Sequence, residues 1–123
     1  MSDAPAVLVL HGIANCDTVR RARRRLDELG IAHRFHDFRR DGLPPALLDG
    51  WIAVLGTAAL LNTRGTTWRA LPEDLRRQAD DGLARTLMLE QPALIRRPLL
   101  VRADGALRLG WDENGLADWL AGA

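Results

Sequence analysis

The order of secondary-structure signals along this chain of 123 residues predicts an α/β fold. Three observations support it: a strand–helix–strand pattern at the start, a purely helical block over residues 41–95, and a hairpin followed by a helix at the end. A strand–helix–strand unit with a short loop requires parallel strands, whereas a hairpin adds antiparallel ones. The sequence therefore predicts a single domain, residues 1–123, with a mixed four-stranded sheet and an approximate helical insertion at 41–95.

The opening strand–helix–strand unit has the clearest patterning. The apolar run 6–10 is typical of a central strand buried on both faces. A helix is predicted over residues 17–29, and Gly30 occupies the position where a glycine ends a helix. The charged but β-like residues 31–38 predict a second strand near an edge of the sheet. The single apolar stripe of the helix consists of Val19, Ala22, Leu26 and Leu29.

The middle and the end of the chain follow different periods. Pro44 and Pro45 open a helical pattern, residues 62–67 have no apolar period and predict a loop, and Asp81 is expected to cap a later helix. Asp104-Gly105 is a strong two-residue hairpin signal between two short strands, and an amphipathic helix closes the chain.

Composition narrows the class of protein. The net charge is only +1, so bulk electrostatics do not drive binding to nucleic acid or to a membrane surface. The arginine cluster of residues 20–25 is interpreted as a solvated helix face. The N-terminus lacks a signal-peptide layout, and no apolar run approaches the roughly 20 residues that span a bilayer. We therefore expect a cytoplasmic monomer.

The count of metal and disulfide ligands is low. With one cysteine no internal disulfide can form, and one cysteine with three histidines gives no multidentate pattern. We expect no metal and no bound cofactor.

Cys16 is the candidate nucleophile. It follows a strand and the loop of residues 12–15, which begins with the structural Gly12, and it precedes a helix, where backbone N–H groups and the helix dipole favour a thiolate. Asn15 and Thr18 could hydrogen-bond the loop or the sulfur. The alternative is an inert buried cysteine, and these residues alone leave both interpretations open.

Val19 stands where a Cys-x-x-Cys pair would need its second cysteine. Any disulfide formed at Cys16 must therefore be resolved by an external thiol, from glutathione or from another protein.

Two arginines are candidates for anion binding. Arg64 lies in a polar loop, and Arg97 directly precedes Pro98 at the start of a strand. Beside a thiolate they could bind an oxyanion or a carboxylate, although a loop arginine is more often simply solvated. Pro98 occupies a reasonable place for a cis peptide bond, which sequence physics alone does not decide.

Four segments carry a resemblance to a known family: residues 12–18 (Gly-Ile-Ala-Asn-Cys-Asp-Thr), 35–39 (Phe-His-Asp-Phe-Arg), 60–69 (Leu-Leu-Asn-Thr-Arg-Gly-Thr-Thr-Trp-Arg) and 95–100 (Ile-Arg-Arg-Pro-Leu-Leu). With them the chain resembles the ArsC/Spx family of thioredoxin-fold proteins, and most closely its YffB-type branch of glutathione-dependent thiol reductases. The resemblance extends from Val7 to Leu120.

The resemblance implies a thioredoxin-like sheet with a helical insertion. It implies that Cys16 is the redox cysteine and that Pro98 is a cis-proline facing it. Arg97 matches the arginine that helps to hold the oxyanion in arsenate reductases. Arg64 belongs to the second basic loop, in which the arsenate reductase arginine itself aligns with Asn62.

Departures from the family pattern bear on the substrate. The third arginine of arsenate reductases falls near Gly110 here, and their histidine corresponds to Gly12, with His11 displaced by one residue. The oxyanion cage is therefore incomplete, which argues against arsenate. The paired cysteines of the redox-sensing Spx regulators are also absent.

We expect a cytosolic thiol reductase in which Cys16 attacks a glutathione-linked disulfide and Arg64 and Arg97 bind the anionic part of glutathione, with Asn15 and Thr18 beside them. Glutathione would be the co-substrate. Two alternatives remain: a glutaredoxin-coupled arsenate reductase, and an Spx-like regulator without catalysis that docks on RNA polymerase.

Overall fold

The computed structural model describes residues 6–122, which fall into two compact units. The first, called the sheet unit, holds the chain up to Asp41 and from Arg97 onwards. The second, called the helical unit, is Gly42–Arg96. Among the described residues, no helix is long and apolar enough to cross a membrane.

Within residues 6–122 four strands form one mixed sheet, as the sequence predicts. The order is β2-β1-β3-β4, with β1 parallel to β2 and antiparallel to β3, and with β3 antiparallel to β4. The strands are β1 (Leu8–Gly12), β2 (His33–Asp37), β3 (Leu99–Arg102) and β4 (Leu107–Leu109). As predicted, the apolar strand is central and the charged one lies at an edge.

The first strand begins and ends two residues later than the apolar run 6–10 indicates. The pairing explains the shift, because the register with β2 continues to Gly12 opposite Asp37, and the register with β3 continues to His11. Hydrogen bonding to two neighbours extends the strand through residues that hydropathy alone assigns to a loop.

Helix α1 (Asp17–Glu28) covers one face of the sheet. Its predicted stripe is buried at Val19, Ala22 and Leu26, but Leu29 is the C-cap and is 45% exposed. The helix ends there because Gly30 takes a left-handed φ of 71°. The core that α1 shares with the sheet and with the final helix α7 (Leu116–Ala121) consists of Leu8, Leu10, Val19, Ala22, Leu26, Leu100 and Leu116.

The helical unit contains α2 (Pro45–Leu55), α3 (Thr57–Leu60), α4 (Thr66–Arg69), α5 (Glu73–Arg77), α6 (Asp81–Glu90) and a 3-10 turn (Pro92–Leu94). Two predictions were wrong here. The loop expected over residues 62–67 ends earlier, because Thr66 already begins α4. The N-cap of α6 is Asp80 instead of Asp81: its Oδ1 accepts the Leu83 N–H at 2.8 Å, while Asp81 accepts the Thr57 hydroxyl.

Candidate active site

Cys16 is the N-cap residue of α1. Its backbone is extended (φ −147°, ψ 123°), and its carbonyl oxygen accepts the first helical hydrogen bond from Arg20 N–H at 2.9 Å. The side chain is partly exposed and packs against the edge of the core beneath α1. The sulfur is therefore open to solvent on one side and next to the N–H groups of the first helical turn on the other.

Opposing effects set the pKa of the Cys16 thiol. Partial burial is the largest single effect and raises it. The Val19 N–H, the guanidinium of Arg97 and the Thr18 N–H all favour the thiolate, and together they bring the pKa below its ordinary value. The sequence predicts the helix N-terminus and names Arg97 as a site residue, and the structure adds the contribution of Arg97 to the thiol pKa.

Arg97 and Pro98 lie at the entry to β3. The Arg97–Pro98 peptide bond is cis, the isomer that the family resemblance implies. The Pro98 side chain is fully buried, and its carbonyl oxygen accepts the Gly110 N–H at 2.8 Å. The half-buried Arg97 side chain lies beside the Cys16 thiol, where it acts both as a hydrogen-bond donor and as a positive charge. A thiol and a guanidinium far apart in sequence thus lie together.

Gly12 allows the strand and the helix to come close together. A Cβ built on Gly12 would lie 2.8 Å from Cγ2 of Val19, a distance that side chains do not tolerate. The absence of a side chain at Gly12 therefore lets the end of β1 approach the first turn of α1, and that approach fixes where Cys16 leaves the sheet.

Asn15 and Thr18 lie on either side of Cys16 in the sequence, and a hydrogen bond from either side chain to the loop or to the sulfur stays a prediction. Asn15 is exposed, and Thr18 is half-buried. The effect of Thr18 on the sulfur comes from its backbone N–H. Val19, which the sequence predicts as a core residue at the place of the missing second cysteine, also favours the thiolate through its N–H. Helix-cap geometry could have indicated both, since the N–H groups two and three residues after an N-cap point back at its side chain.

Arg64 belongs to the helical unit. It is exposed, and its backbone N–H donates to Oδ1 of Asn62 at 3.1 Å, so that the side chain of Asn62 orders the turn that carries it. A role for Arg64 in binding an anion stays a prediction from the sequence.

His11 is buried in β1 on the strand face opposite Leu10, and Leu10 packs with α1. Its ring lies 4.9 Å from that of His36, centroid to centroid. Burial, together with the nearby His36 and Arg34, lowers the pKa of His11 to about 4. The histidine of arsenate reductases corresponds to Gly12, whereas His11 is one residue earlier in the strand. His11 therefore faces away from the helix that carries Cys16.

Asp37 is the residue of this region that the sequence analysis missed as a candidate. Asp37 as a whole residue is 6% exposed, and its carboxylate accepts the Ala14 N–H in the loop before Cys16 at 3.2 Å. The segment 35–39 carries part of the family resemblance, but nothing in the sequence links Asp37 to a loop 23 residues away.

The sheet order, the parallel first pair of strands and the cysteine at the first helix N-terminus define a thioredoxin-like α/β protein. Comparison with known proteins then identifies the family. The model of the ArsC family matches residues 11–118, and the chain belongs to that family.

Individual relatives indicate the branch. A protein named YffB is 39% identical in a solved structure that covers 92% of this chain and 98% of its own, with a TM-score of 0.84. An arsenate reductase (ArsC) related protein from Brucella melitensis is 37% identical, covering 96% and 98% of the two chains, with a TM-score of 0.77. An uncharacterized protein of Haemophilus influenzae is 37% identical over 108 residues, 88% of this chain and 94% of that protein. The chain is thus an arsenate-reductase-related protein of the YffB-type branch.

Proposed function

We propose that this protein is a glutathione-dependent thiol–disulfide oxidoreductase of the cytoplasm that works with the single thiol of Cys16. The observation that carries the proposal is the environment of that thiol. It is partly exposed, it lies at a helix N-terminus beside Arg97, and its pKa is below the ordinary value. A reducing compartment keeps such a lone thiol available for attack.

The proposed reaction is two successive thiol–disulfide exchanges. The Cys16 thiolate attacks the glutathione sulfur of a mixed disulfide R–S–S–G, so that a Cys16–glutathione disulfide forms and R–S⁻ leaves and takes up a proton. The thiolate of a second glutathione then attacks the glutathione sulfur of that bond. Oxidised glutathione forms, and Cys16 leaves as a thiolate. The second thiol must come from outside because the chain has only one cysteine; glutaredoxin is another possible source.

Arg97 has two roles in this scheme. Its guanidinium stabilises the thiolate before attack, and in the second step it stabilises the same sulfur as the leaving group. Glutathione carries carboxylates, which a guanidinium binds through paired hydrogen bonds. Arg97 therefore favours an anionic disulfide over a neutral one of similar size.

The test is the reaction of the reduced protein with oxidised glutathione and with the uncharged hydroxyethyl disulfide. We expect intact-protein mass spectrometry to show one glutathionyl group on Cys16, formed faster than the adduct of the neutral disulfide, and released by added glutathione. Cys16→Ser is the control and should form no adduct. An adduct that forms equally fast from both disulfides would contradict the role of Arg97, and no adduct would contradict the function.

Arsenate reduction is the second candidate, favoured by the name of the Brucella melitensis relative and by a thiolate that lies beside a guanidinium. The third arginine of arsenate reductases falls near Gly110 in this chain, and its absence argues against arsenate reduction. Gly110 has a φ of 89°, a backbone conformation that an arginine adopts only with strain. Arsenate-dependent turnover with glutathione and glutaredoxin supplied would favour this candidate, and its absence would eliminate it.

A further inference from the structure

Asp37 ends β2 at the point where the chain leaves the sheet. The residue as a whole is 6% exposed, and its carboxylate accepts three backbone N–H groups: Oδ1 accepts those of Arg39 at 2.8 Å and Arg40 at 3.4 Å, and Oδ2 accepts that of Ala14 at 3.2 Å. Burial raises the pKa of Asp37, but these N–H groups, together with the positive charge of Arg40, outweigh that effect and hold it below the usual range. The side chain is therefore ionised at neutral pH.

The Ala14 bond links Asp37 to the loop that delivers the nucleophile. Ala14 is two residues before Cys16, and beside it the Phe38 N–H donates to the Gly12 carbonyl oxygen at 2.9 Å. Two hydrogen bonds from the end of β2 thus hold the segment between β1 and α1. Arg39 and Arg40 N–H groups fix the carboxylate itself, so that it is a rigid anchor for the exposed Ala14.

Losing the charge of Asp37 and losing its hydrogen bond to Ala14 would change the Cys16 thiol pKa in opposite directions. A negative charge near a thiol raises the thiol pKa by repulsion. The hydrogen bond to Ala14 has the opposite effect. It holds the loop so that the sulfur stays next to the Thr18 and Val19 N–H groups and Arg97, which keep the thiol pKa low. The direction in which the Cys16 thiol pKa moves when the Asp37 charge is removed therefore distinguishes the two effects.

We infer that Asp37 is a positioning residue for Cys16, which acts through its hydrogen bond to the Ala14 N–H to keep the thiol among the groups that stabilise its thiolate. The inference rests on the proposed function, since it assigns a role to Asp37 in activating that thiol.

The first test is Asp37→Asn, which keeps the shape of the side chain. The amide oxygen can still accept the Arg39 N–H, but an NH₂ group then faces the Ala14 N–H and cannot accept it. We expect the pH midpoint of iodoacetamide alkylation of Cys16 to rise. The rate at neutral pH should fall, by up to about tenfold for each unit of that rise, because it follows the thiolate fraction. The plateau rate at high pH should be retained, because the nucleophile itself is unchanged.

Asp41→Asn is the matched control. Asp41 lies in the same turn, its Oδ2 accepts the Asp37 N–H at 3.0 Å and pairs with Arg40 at 2.8 Å, and the substitution removes the same charge. It should leave the alkylation midpoint unchanged. A merely structural role for Asp37 would lower the melting temperature without moving the midpoint, and a midpoint that is unchanged or lower in Asp37→Asn overturns the inference.

A second variant tests the same bond if Asp37→Asn does not fold. Because Cys16 is the only cysteine, a synthetic thioester of residues 1–15 can be ligated to a fragment that begins at Cys16, giving the full chain with its natural sequence. Replacing the Ile13–Ala14 amide with an ester removes the Ala14 N–H donor and leaves the Asp37 charge in place. The midpoint should again rise, and no rise overturns the inference.

The wild-type midpoint separates the two proposals. If it lies at or above that of free cysteine, about 8.5, the proposed function fails whatever the variants do. If it is low in the wild type and in both variants, the function stands and the positioning role fails.

Discussion

At the scale of single residues, the reactivity of Cys16 is a balance between burial and stabilisation of its charge. Burial alone would make the thiol less acidic, as in most structural cysteines. Two backbone N–H groups and one guanidinium outweigh the burial, so that the net shift of the thiol pKa is downwards. Of these, Arg97 is the contribution that a side-chain substitution removes cleanly.

Replacing Arg97 with methionine should raise the thiol pKa of Cys16. The substitution removes both the hydrogen bond and the positive charge while it keeps a long apolar side chain. We expect alkylation at neutral pH to slow severalfold, measured as the rate against pH.

Arg21→Met serves as the control for the loss of one positive charge, since Arg21 is exposed on α1 and is not among the groups that shift the Cys16 pKa. Equal slowing in the two variants would mean that net charge, and not the contact at Arg97, lowers the pKa.

At the scale of elements, the close packing of β1 against α1 determines where the nucleophile lies. The strand can end next to the helix only because position 12 lacks a side chain, and Val19 fills the space from the helix side. The contact joins the last residue of β1 to the first turn of α1 and so sets the length of the loop between them.

Gly12→Ala should destabilise the protein by about 1–3 kcal/mol, because the new methyl group must displace Val19 from a well-packed core. Chemical denaturation measures the free energy of unfolding. In a Val19→Ala background the cost of Gly12→Ala should shrink, since the clashing Cγ2 atom is gone.

Gly50→Ala is the matched control. Gly50 is exposed inside α2, and a Cβ there meets nothing within 4 Å in the described chain. It should stabilise the protein by up to about 1 kcal/mol through helix propensity. A cost at Gly12 that is the same with and without Val19 would show that the clash is not its cause.

At the scale of the whole molecule, the sequence predicted the sheet, the first helix and the position of the thiol. It could do so because local periodicity encodes strands and helices, and because the glycine-containing loop marks the end of β1. The errors lie at the ends of elements, where contacts distant in sequence intervene. β1 extends to Gly12 through its pairing with Asp37, and Asp80 caps α6 while Asp81 accepts the hydroxyl of Thr57, 24 residues away.

The candidate site was only partly predictable for the same reason. Cys16 and Arg97 carry local signals, one in a loop before a helix and the other before a proline. The contribution of Asp37 depends on a hydrogen bond between residues 23 positions apart. No pattern in one sequence reveals such a bond, because it arises only when β2 pairs with β1.

The pH dependence of Cys16 alkylation in the wild-type protein tests most directly whether the fold activates this thiol. The protein has a single cysteine, so the signal has one source, and the same chain unfolded in denaturant supplies the reference. Because the folded state favours the thiolate, the midpoint should lie at lower pH in the folded protein than in the unfolded one. A folded midpoint at or above the unfolded one would contradict an activated nucleophile at Cys16.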